Sequence, residues 1–143
     1  MDPLAELAIR ETVELHDFFG RWLRPDPDAP RDIARLAQAL APEFRLIGPD
    51  GRIRDRGAVV GWIAGARGSR GPGFRIDVLN CCPVWQSAEA ILLEYVETQY
   101  GEEQGRPLTT RRLSTALFGR APSAPCGVVW RHLQETWLQG DIG

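Results

Sequence analysis

Apolar residues recur at three- and four-residue intervals along the first 23 positions. Leu4, Leu7, Ala8, Leu15, Phe18, Phe19 and Trp22 share one broad face, which predicts an amphipathic helix over Pro3–Leu23. Asp2 is placed to cap it, and Pro3 suits the first helical position, where the missing amide donor costs nothing. His16 and Asp17 flank the stripe. Three prolines between residues 24 and 30 end the helix. A second helix is expected over 31–40, stopping before Pro42. A short strand over 43–47, a Pro49-Asp50-Gly51 turn and a returning strand over 52–56 follow. Val59, Val60, Trp62 and Ile63 then mark a third helix over 57–66. The glycine-rich run 65–73 reads as a loop, because its spacing is not that of a phosphate-binding fingerprint.

Beyond residue 73 the period changes from helical to two. Phe74, Ile76 and Val78 alternate with Arg75, Asp77 and Leu79, predicting a strand with one covered face, and Pro83 marks a break, a bulge or an edge. Long β-prone runs follow at 89–100, 109–118 and 128–138. The first two form a hairpin whose turn is expected at the glycine-punctuated segment after Gly101. Helices first and a meandering sheet afterwards imply an α+β architecture, with three N-terminal helices packed on a curved, mostly antiparallel sheet.

Composition narrows the classes. The 143 residues suit one domain, spanning 1–143, with an apolar fraction of 43% and a charged fraction of 25%. A net charge of −2 leaves no electrostatic footprint for nucleic acid, and no apolar run is long enough to span a membrane. All 17 basic residues are arginine, which excludes lysine Schiff-base chemistry. Cys81, Cys82 and Cys126 are odd in number and no secretory leader is evident, so reduced thiols and a cytoplasmic location are expected. The two histidines, His16 and His132, lack metal-ligand spacing. No metal and no cofactor is expected.

Several motifs carry a resemblance. The order Val78-Leu79-Asn80, then Thr98-Gln99-Tyr100, then Gly105-Arg106-Pro107 is similar to ILN, TQY and GRP in the association domain of calcium/calmodulin-dependent protein kinase II. The closing WRHLQETW, from Trp130 to Trp137, resembles the last strand of that domain and of SnoaL-like proteins. The chain thus resembles the nuclear transport factor 2-like superfamily. The resemblance implies a cone-shaped fold whose sheet and helices enclose an apolar cavity. The kinase domain's pocket arginines fall on Val96 and near Thr115 by the TQY register, with Arg67 or Arg70 matching a third. A strongly cationic pocket is therefore not implied, and no catalytic set of the superfamily's enzymes is matched residue by residue.

The register implied by the resemblance puts Leu92, Glu94, Val96 and Thr98 on the concave face, with Leu113, Thr115 and Leu117 beside them. Val129, Leu133, Glu135 and Trp137 share a face on the last strand. Glu94 and Glu135 would then enter an apolar lining, where desolvation raises a carboxyl pKa and suits it to proton transfer. Alternatively Arg112, Arg131 or a backbone amide pairs with each, or both face solvent. His16 is either a boundary residue or a pocket donor. Trp22, Trp62 and Arg67 complete the candidate ligand-binding set. The other face would carry Leu93, Tyr95, Glu97 and Gln99 beside Trp130, His132, Gln134 and Leu138, an apolar surface that calls for a homodimer. The leading reading is a protein that binds a small, mainly apolar molecule. An acid–base enzyme using Glu94 or Glu135, of the isomerase, dehydratase or cyclase kind, and an oligomerisation module without ligand are the alternatives.

Overall fold

The computed structural model describes residues 3–138, and Asp2, the expected helix cap, lies outside them. Helix α1 runs Pro3–Leu23. Its buried face holds Leu4, Ala8, Leu15, Phe18 and Trp22, but also Glu11, Thr12 and His16. Polar residues thus sit within the apolar stripe rather than beside it. Helix α2, Ala34–Ala39, is only six residues long. It starts later than expected because the Asp32 side chain accepts from the Ala34 amide (2.9 Å) and turns the chain there. Strand β1, Leu40–Ile47, follows without a linker and pairs antiparallel with β2, Ile53–Asp55. Asp55 then caps α3, Arg56–Gly65, by accepting from the Ala58 amide at 2.9 Å. The helical layer is therefore one long helix and two short ones, not three comparable ones.

Strand β3, Arg75–Gln86, continues through Pro83. It is an edge strand, so an absent N–H removes no ladder bond on its open side. Its irregularities fall between Leu79 and Cys82 and between Pro83 and Trp85, with Asn80 at φ 57°. Strands β4, Ala90–Glu103, and β5, Arg106–Arg120, form the long hairpin. The turn lies at Gln104 and Gly105, both at positive φ as a two-residue hairpin requires, within the expected segment but three residues later than a break at Gly101. Gly101 remains in the ladder opposite Leu108. Strand β6, Val128–Trp137, completes a sheet of order β2-β1-β6-β5-β4-β3, antiparallel except between β1 and β6.

Strand β6 carries one irregularity against β5. Phe118 pairs with Trp130 whereas Leu117 pairs with His132, so Arg131 is an extra residue. This bulge reverses the alternation of the strand. Val128 and Trp130 before it thereby face the same side as Leu133 and Glu135 after it, and Val129 does not. The core lies between α1 and this face of the sheet, with Ile91, Leu93, Phe118, Val128 and Trp130 at or below 1% exposure. Glu11 is tied into the core. It accepts from Arg35 of α2 (2.8 and 3.2 Å) and from Trp130 Nε1 of β6 (3.0 Å), joining three elements. All three cysteines are free thiols. No helix among the described residues is long and apolar enough to cross a membrane.

Candidate functional site

Between α1, α2, α3 and the concave side of the sheet lies a cavity of about 220 Å3. Its walls are apolar, with Phe19, Leu36, Phe44, Leu46, Ile63 and Leu133 prominent, and one end is charged. That end is built from four elements: His16 of α1, Glu97 and Gln99 of β4, Arg112 of β5 and Glu135 of β6. Cross-strand pairing fixes the set, because Glu97 stands opposite Arg112 and Ser114 opposite Glu135.

The hydrogen bonds assign the charges. His16 Nδ1 lies 2.7 Å from the Thr12 carbonyl and Nε2 lies 3.0 Å from Glu97 Oε1. Both partners are acceptors, so both ring nitrogens donate and the ring is an imidazolium. Burial pulls the His16 pKa down, but the charge and hydrogen bond of Glu97 and the Thr12 carbonyl outweigh it, and the net shift is upward. Burial likewise works against the Glu97 anion. His16 foremost, with Arg112 and the 2.6 Å hydrogen bond from Gln99 Nε2, still holds its carboxyl well below the usual range. Glu135 is different. Burial and the neighbouring Glu97 charge raise its pKa to about 7, opposed by Arg112, whose Nη1 meets Glu135 Oε1 only at 3.4 Å. Below this end, the Tyr95 and Ser114 hydroxyls and Arg112 Nε are buried and make no hydrogen bond of ordinary geometry among the described residues. Burial, then the charges of Glu97 and Glu135, holds the Tyr95 phenol well above its usual range, and Ser114 pulls the other way.

No family model matches the chain. A solved nuclear transport factor 2-like protein of unknown function from Pseudomonas aeruginosa is similar over 93% of this chain and 99% of its own, at 27% identity and a TM-score of 0.79. The chain belongs to the nuclear transport factor 2-like superfamily. The S. rosetta calcium/calmodulin-dependent kinase II hub shares the fold, with a TM-score of 0.71 at 12% identity, over 94% of this chain and 95% of the hub. Two sucrose-phosphatases of Nicotiana tabacum are 24% and 26% identical over 132 and 133 residues. The chain spans about 30% of the length of these curated relatives.

Within this nuclear transport factor 2-like cone, His16, Trp62, Leu133 and Glu135 line the cavity. The rest of the expected set does not. Leu92, Glu94, Val96 and Thr115 stand on the opposite face of the sheet, because Ile91, Leu93, Tyr95 and Glu97 are the residues turned toward α1. Leu113 and Leu117 are displaced likewise; Arg112, Ser114, Ala116 and Phe118 take the concave positions. The physical reason is bulk: Ile91, Leu93 and Tyr95 fill the space against α1 and Trp130, and a strand's alternation then carries Glu97 inward. The same reversal overturns the surface assigned to a dimer, since Leu93 and Tyr95 are core and Glu97 belongs to the site. Trp22 is core, donating Nε1 to the Ile63 carbonyl at 2.7 Å. Arg67 bonds the Pro30 carbonyl and lies over Trp22. Trp137 is 45% exposed and carries the Arg112 guanidinium on its ring.

Among the polar lining residues, Glu97 and Gln99 were expected on the opposite face, Arg112 only as a partner of the glutamates, and Arg70 only as one of two matches to a pocket arginine. One signal pointed to them. Glu11, Thr12 and His16 recur with Ala8, Leu15 and Phe19 at helical spacing, and ionisable groups inside a buried stripe require buried partners on the facing sheet.

Proposed function

We propose that this protein binds a small molecule with an apolar body and a polar head group in the cone, acting as a single-domain cytoplasmic homodimer. One observation carries the reading: an apolar cavity that ends on a cluster of opposed charges, contributed by four separate elements. Such a pocket, mostly apolar with a few convergent polar groups, is the usual form of a small-molecule site. The likeness to sucrose-phosphatases covers under a third of those proteins, and no phosphatase activity is assigned to this chain.

The test is occupancy. Native mass spectrometry of freshly purified protein should find bound mass, and toluene should bind by ligand-observed NMR. Leu133→Trp, which fills the cavity, should abolish both. Equal binding by wild type and the filled variant would move the site elsewhere.

A second reading has its own support. Glu135 lines the cavity with a pKa of about 7, which suits a general base near neutrality. Acid–base chemistry of the isomerase or dehydratase kind would then rest on Glu135 alone, not on Glu94. The homodimer is supported by the hub-like neighbours and by Leu79, Val84 and Trp85, which stand exposed on β3.

A further inference from the structure

The charged end of the cavity is unevenly satisfied. Both oxygens of Glu97 are engaged, by His16 on one and Gln99 on the other. His16 is saturated, between Glu97 and Thr12. Arg112 and Glu135 are not. Arg112 Nε makes no hydrogen bond, lying 4.0 Å from Glu97 Oε2, and its contact with Glu135 is a long 3.4 Å. Glu135 is 8% exposed and takes no other hydrogen bond among the described residues. A donor and an acceptor therefore stand side by side, each with capacity left, in a place where unmet capacity is costly.

Charge decides what could meet them. His16 and Arg112 are cationic, Glu97 is anionic, and an ionised Glu135 brings the four to neutrality. The other charged residue on the lining is Arg70, from the segment between α3 and β3, exposed and stacked over Phe74. An anionic head group would face two carboxylates and could enter only if Glu135 took up a proton. An ammonium would face Arg112 and His16. A neutral group leaves the balance untouched, and burying an unmatched charge costs far more than burying a paired dipole.

Building on the binding reading above, we infer that the Arg112–Glu135 corner takes a neutral head group that accepts from the guanidinium and donates to the carboxylate, such as a primary carboxamide or a lactam. The carbonyl oxygen meets Arg112 and the amide N–H meets Glu135.

The experiment uses four ligands with one phenyl body: phenylacetamide, phenylacetate, 2-phenylethylammonium and ethylbenzene, titrated calorimetrically at pH 6 and pH 8. Phenylacetamide should bind tightest at pH 8, by about tenfold over phenylacetate, the scale of a charge-assisted hydrogen bond gained rather than lost. Its affinity should weaken about fivefold from pH 8 to pH 6, as Glu135 is protonated and the charged acceptor disappears. Phenylacetate should change in the opposite sense. Glu135→Gln keeps the shape and should abolish both pH responses. Preference for phenylacetate or phenylethylammonium at pH 8 overturns the inference, as does an amide no better than ethylbenzene. In those cases the pocket itself still stands. Failure of all four, ethylbenzene included, overturns the pocket along with the head group.

Discussion

His16 Nε2 and Glu97 Oε1 stand 3.0 Å apart across 81 residues of chain, both nearly inaccessible to solvent. This closed ion pair fastens the middle of α1 to the centre of β4. Replacing His16 with Leu would leave a buried carboxylate held by Gln99 and, at 4.0 Å, by Arg112. The expected loss is about 3–5 kcal/mol in urea unfolding, the scale for an orphaned buried charge. The double variant His16→Leu with Glu97→Leu should recover most of it. A single-variant loss under about 1 kcal/mol, within the range of exposed pairs, would show that the pair is open to water.

Stability should peak on the acid side of neutrality. Unfolded Glu135 gives up its proton near 4.5, whereas the folded group holds it to about 7. Between those values the folded state binds a proton that the unfolded state does not, so stability falls as pH rises. His16 acts in the same sense: its raised pKa gives full stabilisation below 6.5 and loses it as pH climbs through the folded value. Glu97 acts oppositely, and its contribution fades as pH drops below 4.5 toward its depressed value. The sum places the maximum at about pH 5. Glu135→Gln should remove a decline on the order of 3 kcal/mol between pH 5 and pH 8. A wild-type profile flat over that range would mean a solvated Glu135.

Much of this fold could be read from hydrophobic spacing, and half of the site could not. The long helix, the loop prolines, the hairpin pairs and the sheet-forming second half all follow from period and turn chemistry. Which face of β4 turns inward does not. Leu92, Glu94 and Val96 alternate with Leu93, Tyr95 and Glu97, and both sets mix apolar residues with one carboxylate. The face is chosen by the edge-to-face and tilted ring cluster of His16, Tyr95 and Trp130, whose centroids lie 5.4–6.4 Å apart, and no local pattern encodes it. On β6 the extra residue at Arg131 breaks the alternation, so Leu133 and Glu135 were legible while Val129 and Trp130 exchanged places.

The Arg35–Glu11–Trp130 strut gives a third prediction. Glu11 has no exposed surface, and burial raises its pKa although Arg35 and Trp130 oppose the shift. Arg35→Met removes its countercharge and should cost about 3 kcal/mol at pH 7. Because the orphaned carboxyl can then take a proton, the loss should shrink as pH falls toward 5. An equal loss at both pH values would point to lost packing by the Arg35 stem instead.

Assembly gives the last prediction, and it separates Leu93, expected on the outer face, from Leu79. Leu93 is fully buried against α1, so Leu93→Glu forces a charge into the core and should unfold the chain, not split a dimer. Leu79 is 46% exposed on the outer face of β3, opposite Val96 and on the same strand as the exposed Val84 and Trp85. A stable pair of subunits would bury on the order of 1,200–2,000 Å2 in total, and this apolar outer face is where that area is available. Light scattering at micromolar concentration should give about twice the 15.9 kDa chain mass. Leu79→Glu places an unpaired charge in the interface while touching nothing in the core. It should give monomers whose circular dichroism matches the wild type. A wild-type monomer at that concentration removes the dimer. A Leu79→Glu dimer removes this face from it and leaves the β1–β2 side of the sheet as the remaining candidate.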